Sequence, residues 1–94
     1  MDATNLVFRV HALQRMFERG ISEEDVQHVL ENGEIIKEYP DDAPFPSRLM
    51  LGWRGKRPLH IVAADNQAES KTYVLSVYEP DPQIWEPDFR RKKA

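Results

Sequence analysis

A histidine set in the middle of an aliphatic strand is the most restrictive feature of this sequence. The stretch Lys56-Arg57-Pro58-Leu59-His60-Ile61-Val62-Ala63-Ala64 leaves a basic turn and continues in residues typical of a sheet interior. An imidazole at that place has two ring nitrogens to satisfy if it is buried. Two readings stay open at this stage. His60 is either a hydrogen-bonded structural histidine or a titratable group on the floor of a site.

The chain has 94 residues, enough for one core and too few for two. We expect a single domain over residues 1–94, with residues 87–94 as a flexible basic tail ending in Arg90-Arg91-Lys92-Lys93. There is no cysteine, so neither a disulfide framework nor thiolate chemistry is available. No apolar run reaches the length of a membrane span and no signal segment is evident; with cysteine absent, a reducing cytoplasm is the expected location.

The net charge of −3 argues against a general nucleic-acid binder, but the charges are segregated. Between Ala43 and Ala64 there is no acid, while Arg48, Arg54, Lys56 and Arg57 fall inside. Glu23, Glu24, Asp25, Glu31, Glu34, Glu38, Asp41 and Asp42 all precede that segment. A local positive face and an ordinary solvated hairpin are both compatible with this pattern.

Local signals give an α+β chain. Leu6 to Val10 reads as a short first strand. His11 to Arg19 has helical spacing, with Leu13, Met16 and Phe17 as its apolar stripe and His11, Arg15 and Arg19 in a row beside it. Gly20 suits a left-handed helix end. Ser22 is a good N-cap for a second helix, with Glu23, Glu24 and Asp25 in its first turn and Ile21 and Val26 as a hydrophobic staple. Glu34 to Tyr39, Arg48 to Arg54, the His60 stretch and Thr72 to Tyr78 follow as strands. The spacing predicts two helices packed on an antiparallel sheet of about four strands, with a possible short first strand. If the turns centre near Gly55-Lys56 and Ala68, His60 lies opposite Leu51 or Gly52 and near Ser76.

The segments His11-Ala12-Leu13-Gln14-Arg15-Met16, Glu18-Arg19-Gly20-Ile21-Ser22, Arg57-Pro58-Leu59-His60-Ile61-Val62 and Val77-Tyr78-Glu79-Pro80 carry a resemblance. Together they resemble a bacterial domain-of-unknown-function family grouped with the RelE/ParE toxins and similar to BrnT. The resemblance implies two helices followed by an antiparallel sheet. It also implies a toxin-like, metal-independent ribonuclease of a toxin–antitoxin pair, attacking RNA through its 2′-hydroxyl, with RNA and a cognate antitoxin as partners. Neither a metal nor a cofactor is expected.

Such chemistry needs a base, an acid and cations around the phosphate. By chemical type the catalytic candidates are His60, His11 and Arg15. Arg48, Arg54, Arg57 and Tyr78 are the candidates for holding substrate. The alternative is a non-catalytic protein-interaction module that keeps the toxin fold.

Overall fold

The computed structural model describes residues 5–94. Strand β1 (Asn5–Phe8) leads into helix α1 (Val10–Arg19) and helix α2 (Glu23–Asn32). Strands β2 (Glu34–Tyr39), β3 (Ser47–Arg54), β4 (Arg57–Asn66) and β5 (Lys71–Tyr78) follow, with a 3-10 turn at Gln67–Glu69 before the last. The sheet order is β1-β5-β4-β3-β2.

Both helices lie on one face of this sheet, as the sequence indicates. The sheet, however, has five strands, and it is mixed: β1 runs parallel to β5 while the other pairs are antiparallel. The parallel pair arises because α1 carries the chain back across the sheet before the meander begins, so the first strand lands beside the last. No helix is long and apolar enough to cross a membrane.

The second helix forms as its sequence dictates. The Ser22 hydroxyl accepts from the Asp25 amide at 3.0 Å, and the Asp25 carboxylate accepts from the Ser22 amide at 3.0 Å. That reciprocal box satisfies two otherwise orphan donors. Gly20 ends α1 at φ 65°, the left-handed position that glycine occupies without penalty.

The first helix is rotated relative to its expected stripe. Ala12 and Met16 are buried against the sheet, whereas Leu13 and Phe17 are 44% and 90% exposed. Ala12 has no bulk to hold α1 away, so the helix seats on its small face and the large side chains turn outward.

Ala12, Met16, Ile21, Val26 and Val29 meet Met50, Leu59, Ile61, Ala63, Val74 and Val77 in one core. A fully buried aliphatic here contributes roughly 1.5–3 kcal/mol relative to an exposed one. Side chains alternate along a strand, so Leu59 and Ile61 facing the helices send His60 to the opposite face. Register confirms Leu51 as the His60 partner on β3. On β5 the partner is Tyr78, not Ser76. A bulge between Val62 and Ala63 and a wider turn at Gln67–Glu69 shift the pairing by two residues, which preserves the face.

The residues after β5, expected to end in a flexible tail over 87–94, fold back as a strap over that second face. Trp85 and Lys92 form an antiparallel bridge, with Glu86 donating to the Arg91 carbonyl and Lys93 to that of Ile84, both at 2.8 Å. The repeated Glu-Pro-Asp at Glu79 and Glu86 builds this shape. Asp81 accepts from the Gln83 amide at 2.8 Å and Asp88 from the Arg90 amide at 3.0 Å, so each repeat opens a turn.

A cationic hollow between the sheet and the C-terminal strap

His60 is completely buried beneath the strap. Its Nε2 lies 2.9 Å from the Phe89 carbonyl oxygen and its Nδ1 3.2 Å from the Tyr78 hydroxyl. The Trp85 ring stands edge-on to it, centroids 4.5 Å apart. Phe89 adopts φ 58° to aim its carbonyl at the imidazole, and its ring packs edge-on against Trp53. Burial holds the His60 pKa below its ordinary value, opposed in part by the bond to Phe89. Both ring nitrogens are engaged, and the ring has no open edge.

The residues expected to act with His60 are elsewhere. His11 and Arg15 are exposed on α1, across the sheet from the imidazole. Arg48, Arg54 and Arg57 share the helix-side register of Met50 and Leu59, also away from His60. Each has a carboxylate. Arg48 pairs with Asp65 at 2.9 Å, Arg54 with Asp25 at 2.8 Å and Arg57 with Glu79. Arg57 also donates to the carbonyls of Arg19 and Gly20, closing the C-terminal end of α1 where the helix dipole favours a cation. The three arginines of the acid-free segment are therefore each paired with an acid from another part of the chain. Of the expected residues, the fold brings only Tyr78 to His60.

Beside the pair lies a hollow of about 340 Å³. Leu49 and Tyr78 belong to its floor, Ile36, Lys37 and Tyr39 come from β2, and Trp85, Arg90, Arg91 and Lys92 come from the strap. A bulge between Ile35 and Lys37 resets the register of β2 before Lys37 and Tyr39. Arg90 is tied to Glu34 through two hydrogen bonds of 2.9 and 2.8 Å. Among the described residues, Lys37, Arg91 and Lys92 have no carboxylate within salt-bridge distance. Lys37 lies 5.5 Å from the Tyr39 ring centroid and Lys92 5.9 Å from that of Trp85. Burial, and to a lesser degree the neighbouring Tyr39, raise the pKa of Tyr78, which keeps that phenol protonated.

Cations beside aromatic rings form a surface for an anionic, planar ligand. Sequence reasoning passed over Lys37, Tyr39, Trp85, Arg91 and Lys92. The available signal was the nearness of Trp85 and Phe89 to the basic run expected to end a flexible tail over residues 87–94.

Comparison with known families supplies a name for the domain. Residues 8–79 match the family described as Domain of unknown function (DUF4258). The chain belongs to that family. No curated protein and no solved structure matches it. The DUF4258 match ends one residue after β5, so Trp85, Arg91 and Lys92 stand on a segment beyond it.

Proposed function

We propose that this DUF4258 protein is a toxin-like, metal-independent ribonuclease of RelE/ParE and BrnT type whose substrate site is the hollow, not a His60–His11 pair. The observation that carries the reading is the gathering of Lys37, Arg91 and Lys92, which have no carboxylate partner among the described residues, around Tyr39, Tyr78 and Trp85. An RNA phosphate sits against the cations, and an unstacked base lies on an aromatic ring. The 2′-oxygen attacks phosphorus and the bond from phosphorus to the 5′-oxygen breaks, leaving a cyclic phosphate and a 5′-hydroxyl. The 2′-proton leaves to water, and the Tyr39 hydroxyl gives its proton to the departing oxygen and regains one from solvent. The rate then comes from fixed positive charge around the phosphate rather than from imidazole acid–base work.

Incubation of the purified protein with single-stranded RNA in chelator tests this. Cleavage that falls in Lys37→Ala and Tyr39→Phe and persists in His11→Ala supports it. Absence of cleavage by the native chain, or equal cleavage by Lys37→Ala, rejects it.

The non-catalytic interaction module is favoured by a separate observation. Val10, Leu13 and Phe17, at 70%, 44% and 90% exposure, align along one side of α1. In this second reading an amphipathic segment of a cognate antitoxin lies along that stripe. A Phe17→Asp variant that folds normally but no longer retains the product of a neighbouring gene supports the module; unchanged retention rejects it.

A further inference from the structure

The hollow has one wall built into the sheet and one supplied by the strap, and at the surface the Glu34–Arg90 ion pair joins the two. Glu34 opens β2 and Arg90 lies in the strap, 56 residues apart in sequence, with both nitrogen–oxygen contacts under 3 Å. The bond from His60 to Phe89 anchors the residue just before Arg90. Arg91 and Lys92 come directly after it. Two anchors thus fix the strap immediately ahead of the cations that it contributes.

We propose that the Glu34–Arg90 pair is a positioning clamp that holds Arg91 and Lys92 over the hollow and so sets how tightly the site takes a single-stranded nucleic acid. This rests on reading the hollow as an RNA site, and adds where its affinity is set. Arg90, Arg91 and Lys92 lie beyond residue 79, where the DUF4258 match ends, while Glu34 lies within it. A carboxylate beside an anion site opposes binding by simple charge, so Glu34 would weaken affinity if charge were its only effect. A clamp has the opposite sign: losing the carboxylate loosens the wall and weakens binding.

Glu38 provides the control. It stands on the same strand, on the alternate face to Lys37 and Tyr39, and among the described residues it has no ion-pair partner. Glu34→Gln and Glu38→Gln remove the same charge. The probe is a 2′-O-methyl oligonucleotide, which cannot be cleaved through its 2′-oxygen, titrated at several salt concentrations.

The clamp predicts that Glu34→Gln binds about threefold more weakly than native protein while Glu38→Gln binds equally or more tightly. The salt slope of Glu34→Gln stays native, since no phosphate contact is removed, whereas Lys92→Ala lowers it by roughly 0.7. The thermal midpoints of both glutamine variants stay together, separating positioning from general destabilisation. Native binding with Glu34→Gln as tight as Glu38→Gln overturns the clamp and leaves the RNA reading intact. No binding by native protein at low salt overturns both.

Discussion

The Nε2 of His60 lies 2.9 Å from the carbonyl oxygen of Phe89, and that contact fixes the tautomer of the ring. A carbonyl only accepts, so Nε2 carries the proton and Nδ1 takes the Tyr78 hydroxyl as donor. Neutral imidazole satisfies both partners. Adding a proton at Nδ1 would place a charge on a ring that is fully buried, and burial opposes it.

Near neutral pH, stability should therefore depend on pH through this ring. Burial holds the native pKa below the ordinary 6.5. Between the two values the unfolded chain binds more protons than the native one, so stability falls as pH drops through 6.5 and levels off below the native pKa. Above 6.5 the ring is neutral in both states and adds no slope. Urea unfolding from about pH 7.5 to pH 5 measures this. His60→Phe removes that component of the slope, and lowers the plateau by about 2 kcal/mol because Tyr78 and Phe89 lose their partner. The same slope in both proteins would exclude His60 as its source.

The packing of α2 on β3 depends on Gly52. A Cβ at that position would lie 2.6 Å from Val29 Cγ2 and 2.9 Å from its Cβ, and Val29 is itself fully buried. A branched side chain fixed to a helix cannot swing away cheaply. Gly52→Ala should destabilise by about 1–3 kcal/mol in chemical denaturation. Trimming the obstacle in Gly52→Ala with Val29→Ala should give a coupling of opposite sign, the double variant losing less than the sum of the singles. Additive losses would show that the helix had shifted instead.

The start of α2, the strand bearing His60 and its pairing with β3 to within one residue were legible because each depends on residues close in sequence or on a tight turn. Ser22 with Asp25, and Gly55 at φ 62° between β3 and β4, are such local devices. The rotation of α1 was not legible, since Phe17 looks apolar whether or not anything covers it, and the small Ala12 decides which side seats. The candidate site was harder still. Charges at Arg48, Arg54 and Arg57 looked free because their partners Asp65, Asp25 and Glu79 lie 17 to 29 residues away. The strap was invisible for the same reason: its anchors, Glu34 and His60, are far up the chain from the residues they hold.

Arg57 offers a test of structural against substrate-binding use. It joins Glu79 to the last carbonyls of α1, with its side chain 31% exposed. Arg57→Ala should cost about 1–2 kcal/mol in thermal unfolding, from carbonyls left without a donor at a helix end. Hydrogen exchange of the Gly20 and Ile21 amides, which close that end on Phe17 and Met16, should rise with it. Nucleic-acid affinity and its salt slope should stay native at temperatures where the variant is folded. A reduced salt slope would return Arg57 to the binding surface.

The opposite placement of the two cationic groups gives the sharpest contrast. Lys37, Arg91 and Lys92 gather on the strap side, while His11 and Arg15 stand on α1 beyond the sheet. If single-stranded RNA lies in the hollow, Lys37→Ala and Lys92→Ala each remove one phosphate contact, lowering the slope of log K against log salt by roughly 0.7 apiece. His11→Ala and Arg15→Ala leave that slope unchanged, and both fold normally because their side chains are exposed. Fluorescence anisotropy over a salt series at fixed pH measures all four. A slope that falls in Arg15→Ala and holds in Lys37→Ala would move the RNA to the helix side, because one strand cannot touch both faces of this sheet without leaving the hollow.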